Sequence, residues 1–177
     1  MSENLIASSA SKTRTLSDAE VQEIKHEMEL YPDKQAVGLE ALKIVQKHQG
    51  WVSDESMQAI SKFLEIPLSD LESVATFFNL VYRQPVGENV ILFCNSVSCW
   101  VMGCESIRSH INERLGVDFG ETSEDGKFTF LPVPCLGDCD KAPVMMVGDD
   151  LHRNLTDGKI DEIISNYRSK KESKIGR

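Results

Sequence analysis

The sequence predicts a mixed fold, a bundle of four helices over residues 17–81 followed by an α/β sandwich over residues 82–168. Three observations predict it. Apolar residues recur at helical spacing through the first half. After the linker-like segment Tyr82-Arg-Gln-Pro-Val-Gly87 they gather into short β-prone runs that alternate with amphipathic stretches. Four of the five cysteines form two short pairs, Cys94-x4-Cys99 and Cys135-x3-Cys139, each at the end of such a run. Residues 1–16 read as a flexible N-terminal tail and residues 169–177 as a basic C-terminal tail.

Taken in order, Ser17-Asp-Ala-Glu20 is a capping box with Leu16 and Val21 as its hydrophobic staple. Val21, Ile24, Met28 and Tyr31 keep one face until Pro32 stops the helix. Ala36, Leu39, Leu42 and Val45 mark a second helix ended by Gly50. Ser53 starts a third, with Met57, Ile60, Phe63 and Leu64 inward, and Ser69-Asp-Leu-Glu72 boxes a fourth, lined by Leu71, Val74, Ala75 and Phe78. Val90–Phe93 is continuous and apolar, as in a strand buried on both faces. Cys104, Ile107, Ile111 and Leu115 share a helical face closed by Gly116. Asp125-Gly126 turns the chain into a strand at Lys127–Leu131, and Val144–Val147 is another strand. Thr156 caps a last helix with Ile160, Ile163, Ile164 and Tyr167 inward. Strand, helix, strands, helix is the order of a thioredoxin-type sandwich.

Four thiols on two loops at strand ends suit a 2Fe-2S cluster or a structural zinc ion. Zinc sites favour two to four residues between paired ligands, often with a histidine; C-x4-C is also a spacing that two-iron proteins use. Disulfides need an oxidising compartment. The N-terminus has no apolar stretch of signal-peptide type, and no run nears the roughly 18 apolar residues of a membrane helix. A chain of this kind is expected in a reducing, intracellular setting, where clustered cysteines mean metal or redox chemistry. The formal charge is −9, with +4 on Arg168–Arg177 and +1 on residues 1–16, leaving −14 on residues 17–167. So acidic a body repels phosphate backbones and anionic lipid, which excludes nucleic acid as the expected partner.

The stretches Ser73-Val-Ala-Thr-Phe-Phe78, Tyr82-Arg-Gln-Pro-Val-Gly87, Cys94-x4-Cys99 and Cys135-Leu-Gly-Asp-Cys-Asp-Lys-Ala-Pro143 carry a resemblance. The chain resembles the family of small, thioredoxin-like 2Fe-2S subunits of the NADH dehydrogenase module of respiratory complex I, over roughly residues 17–168. The resemblance implies a four-helix N-terminal part and a thioredoxin-like 2Fe-2S ferredoxin domain. It implies one 2Fe-2S cluster, with Cys94 and Cys99 on one iron and Cys135 and Cys139 on the other. It further implies an FMN-bearing, NADH-binding partner subunit that supplies single electrons, an adjoining large iron-sulfur subunit, and a cytoplasmic position peripheral to the inner membrane. The equivalent diaphorase subunit of an NAD-linked hydrogenase or formate dehydrogenase shares this module and stands as the alternative, with a zinc-stapled interaction module behind it.

No dinucleotide-binding glycine motif, Walker loop or nucleophile elbow occurs, so no catalytic residue is expected and hydride chemistry belongs to a partner. The four histidines, His26, His48, His110 and His152, are scattered and read as surface residues. Cys104 lies outside the ligand pattern and reads as a buried structural thiol. Asp138 lies inside the second pair and Asp140 follows it, and both disfavour reduction, with Lys141 expected to screen them. Ser96 and Ser98 either cap the following helix or belong to a loop that turns its amides toward sulfur. The helical half is expected to serve partner docking.

Overall fold

The structure, a computed structural model, describes residues 14–169. The two expected tails lie outside the described residues except for Arg14–Leu16 and Ser169. The chain forms two compact units that divide between Gln84 and Pro85.

The first unit consists of α1 (Asp18–Leu30), α2 (Gly38–Gln49), α3 (Asp54–Leu64) and α4 (Leu68–Phe77). The box at Ser17 forms as the sequence predicts: Glu20 N–H donates to Ser17 Oγ at 3.3 Å, and Ser17 N–H donates to Glu20 Oε2 at 2.8 Å. Glu20 is nevertheless wholly buried, because Arg14 reaches back to bond Glu20 Oε1 at 2.6 Å and Ser56 Oγ at 2.5 Å. Ile24, Leu42, Val45, Met57, Ile60, Leu64 and Leu71 make the core. Three apolar assignments fail. Tyr31 is extended and partly exposed, since a residue before proline avoids the α region. Ala36 lies before α2 and is exposed, and Phe78 follows α4 with 41 % of its surface open. The second predicted box is also absent: Pro67 caps α4 two residues early, leaving Ser69 inside the helix beside Asp70.

The second unit holds β1 (Asn89–Cys94), α5 (Val97–Val101), α6 (Cys104–Leu115), β2 (Glu121–Thr122), β3 (Phe128–Val133), β4 (Met145–Val147), β5 (Asp150–His152) and α7 (Asp157–Ser169). The sheet order is β2-β3-β1-β4-β5; only β1 and β3 run parallel. Every residue of β1 is buried, as its uninterrupted apolar run requires of a central strand. Alternation sends Ile91, Phe93, Phe128, Phe130 and Met145 to one face. There they pack against Ile107 and Ile111 of α6 and Ile160 and Ile164 of α7. The arrangement is the α+β, thioredoxin-like sheet with helices that the strand–helix order predicted. The strands β2 and β5 are too short and too polar to have stood out in the sequence.

Candidate metal centre

Topology brings the two cysteine pairs together. Because β1 and β3 are parallel, both strands finish at the same edge of the sheet, and the register pairs Cys94 with Val133. The chain leaving β3 therefore places Cys135 just beyond the end of β1, and Cys94 Sγ lies 4.0 Å from Pro134 O. Antiparallel β4 begins at that same edge, where Val144 O accepts from Cys94 N–H at 3.3 Å. Cys99 follows within α5, a single turn that starts directly after β1.

Within the first pair, Cys94 and Cys99 are both buried, and each bears on the other's charge. Within the second, Cys135 Sγ and Cys139 Sγ are 3.8 Å apart, and both residues are exposed. Cys139 feels the Ser98 hydroxyl of α5 and the charge of Cys94, so the two pairs act electrostatically on each other. Backbone amides converge on these sulfurs. Gly137 N–H donates to Cys135 Sγ at 3.3 Å, and the backbone amides of Ser96 and Leu136 bear on Cys94 and that of Val144 on Cys99, favouring the thiolates. Ser96 occupies the N-cap position of α5 without a side-chain cap bond; its Oγ sits 3.4 Å from Cys94 Sγ. The segment after Cys94 is thus helical rather than a wrapping loop, and Ser96 turns both its amide and its hydroxyl toward sulfur.

The thiols titrate unevenly. Burial raises Cys94, yet the Ser96 hydroxyl, the Ser96 and Leu136 amides and the Cys99 thiol outweigh it and hold Cys94 below the usual range. Burial, reinforced by the charges of Cys94 and Cys104 and opposed by the Val144 amide, pushes Cys99 up to about 11. Cys139 is raised chiefly by its bond with Cys135. In the first pair Cys94 deprotonates ahead of Cys99, and metal loading must expel the remaining proton.

The donor set discriminates between metal groups. All four candidate ligands are cysteines, a donor set of sulfur alone. Four cysteine sulfurs in two pairs at one end of the sheet, with the Gly137 amide on Cys135, suit a two-iron rhomb whose irons each take two thiolates. Cys104 heads α6 with no exposed surface and packs into the core, where a structural thiol was expected.

The charged shell differs from expectation. Lys141 pairs with Asp140 at 2.9 Å, while the partner of Asp138 is Arg153, just after β5. No sequence signal singled out Arg153; only the β4–β5 hairpin returns the chain there. His110 is half-buried against Asp161 at 3.0 Å, and His152 is half-buried too, so neither is a plain surface histidine. Around α5, Val97, Trp100, Val101 and Met102 are each at least 60 % exposed, an apolar collar beside the thiols.

Comparison with known proteins places the chain among iron-sulfur proteins. The family described as "Thioredoxin-like [2Fe-2S] ferredoxin" matches residues 24–168. The E-type subunit of NADH-quinone oxidoreductase from Pseudomonas aeruginosa is 47 % identical over 152 residues, covering 86 % of this chain and 92 % of that one. The protein of the same name from Escherichia coli K12 is 48 % identical over 153 residues, with the same coverage. Among solved structures, an NAD+-reducing [NiFe]-hydrogenase in the air-oxidized state superposes with a TM-score of 0.63 at 18 % identity. That match spans 75 % of this chain and 23 % of the hydrogenase chain, a likeness of fold.

Proposed function

We propose, from the premise that this chain belongs to the thioredoxin-like [2Fe-2S] ferredoxin family, that it is the electron-transfer subunit of an NADH-quinone oxidoreductase. Cys94 and Cys99 hold one iron of a 2Fe-2S cluster, and Cys135 and Cys139 hold the other. When bound, such a cluster takes up and returns single electrons, which suits it to reduced FMN on a partner subunit.

The chain's own residues then have definable tasks. The amides of Ser96, Leu136, Gly137 and Val144 point positive dipole ends at the ligand sulfurs, which stabilises added negative charge and raises the potential. Four thiolates and no histidine act in the opposite sense. With Cys94 and Cys99 buried and Cys135 and Cys139 exposed, the first pair would hold its iron away from water and the second would leave its iron open toward a partner. Hydride transfer belongs to the FMN-bearing, NADH-binding subunit, with the large iron-sulfur subunit adjoining. The collar of Val97, Trp100, Val101 and Met102 supplies apolar contact beside the thiols; in the helical unit, Phe77, at 80 % exposure, and Leu80 supply a second docking surface. Among the described residues no helix is long and apolar enough to cross a membrane, which suits a peripheral position.

The observation that carries this reading is the near-half identity to these oxidoreductase subunits across most of both chains, with both cysteine pairs at one sheet edge. A hydrogenase diaphorase role rests on fold likeness alone and ranks second. The test is purification of the whole complex. Two irons and two sulfides per copy of this chain, a rhombic EPR signal on reduction and co-purification with a flavoprotein are expected. One zinc per chain with no labile sulfide refutes the reading.

A further inference from the structure

We propose that Arg153 is a positioning residue for the second thiol pair, and that its ion pair with Asp138 offsets the one acidic charge lying between two ligands. The inference rests on the reading that Cys135 and Cys139 hold an iron.

Asp138 sits inside Cys135-Leu-Gly-Asp-Cys139, and its side chain is only 21 % exposed. An uncompensated carboxylate there opposes any gain of negative charge by the sulfurs on either side. The guanidinium of Arg153 bonds that carboxylate through Nε. The segment bearing Arg153 is itself strapped to the far side of the ligand loop. Asn154 N–H donates to Lys141 O at 2.8 Å, and Leu155 N–H donates to Pro143 O at 3.1 Å. Lys159 of α7 fixes the strap from behind, donating to the carbonyls of Arg153 at 3.2 Å and Asn154 at 3.0 Å. Asn154, between Arg153 and the Leu155 amide, takes the left-handed conformation, φ +48°. Two backbone bonds from the segment and two from Lys159 fix where the Arg153 backbone sits beside the ligand loop, so its guanidinium starts within reach of Asp138 rather than having to find it.

Two consequences separate this role from simple loop support. Removing the positive partner strands a carboxylate beside the second pair and makes reduction harder; removing the carboxylate makes it easier. A merely structural contact moves both variants the same way.

The experiment is a redox titration of the intact complex, followed by EPR, with iron and sulfide counted in every variant. Arg153→Gln is expected to lower the reduction equilibrium by up to about tenfold, equivalent to 59 mV for a one-electron couple. Arg153→Lys restores most of that shift, because an ammonium on the same strap still reaches Asp138. Asp138→Asn shifts the other way, and Asp138→Asn with Arg153→Gln returns close to wild type. Single variants that both leave the potential unmoved, or that both move it in one direction, overturn the proposal. If Arg153→Gln releases the iron, the Asp138→Asn and double variants decide by the same signs. Wild-type protein without iron and sulfide refutes the cluster reading instead, and takes this proposal with it.

Discussion

Replacing Gly137 by alanine tests whether the ligand loop is held in shape for sulfur. Gly137 has φ +79° and donates its N–H to Cys135 Sγ at 3.3 Å. A Cβ there would meet nothing within 4 Å, so alanine brings no clash and the perturbation is confined to the backbone. Holding an L-residue in the left-handed region costs roughly 1–2 kcal/mol. A metal-bound loop cannot escape that cost, whereas a metal-free loop on the surface relaxes. The strain therefore appears as weaker retention of the cluster, by about 5- to 30-fold at the stated energies. Anaerobic competition with an iron chelator, followed by loss of visible absorbance, measures it. Gly137→Asn should fall between glycine and alanine, since asparagine tolerates this conformation. Gly116→Ala is the control: Gly116 caps α6 at φ +67°, equally free of neighbours, and the same strain there should lower thermal stability while leaving chelator resistance unchanged. Wild-type retention in Gly137→Ala, or equal cluster loss in Gly116→Ala, refutes the reasoning.

Three further outcomes are expected. Cys104→Ala should keep full iron content and an unchanged EPR signal while destabilising the second unit by about 1–2 kcal/mol, because it removes a core atom and no ligand; iron loss would make Cys104 a ligand. Trp100→Ala should weaken association with the flavoprotein by more than about 30-fold, the effect of losing a central aromatic contact, with cluster content intact; a pull-down that retains the partner at wild-type strength contradicts this. The third concerns acid stability. Burial alone would raise Glu20, but the Ser17 amide, the Arg14 guanidinium and the Ser17 hydroxyl hold its carboxyl below the ordinary 4.5. Its contribution is therefore full above 4.5 and disappears as pH falls through the lowered value. Glu20→Gln should cost about 1–3 kcal/mol at pH 7, with the gap to wild type closing in acid; urea melts showing a gap independent of pH would contradict it.

Much of the fold was legible because local chemistry agreed with tertiary placement. The box at Ser17, the stop at Gly116 and the Thr156 cap are written into a few adjacent residues, and each element appears where those signals put it. The failures have a common cause. Ser69 carried a good capping pattern, but Pro67 two residues earlier had already started the helix. Phe78 kept the helical spacing of α4 yet falls just past its end, where spacing no longer dictates burial. Two- and three-residue strands such as β2 and β5 exist only through pairing with β3 and β4, so nothing local announces them.

The sequence by itself determined the donor chemistry: four thiols in two spaced pairs, and helices ahead of a sheet, all properties of residue type and short-range spacing. Only the tertiary structure decided which groups surround those thiols. The parallel β1–β3 register sets the Cys135 loop against the end of β1, and the β4–β5 return brings Arg153 rather than Lys141 to Asp138. Charges and amides act through space, and neighbours some forty residues apart along the chain, as Cys94 and Pro134 are, become adjacent only once strand pairing fixes the register.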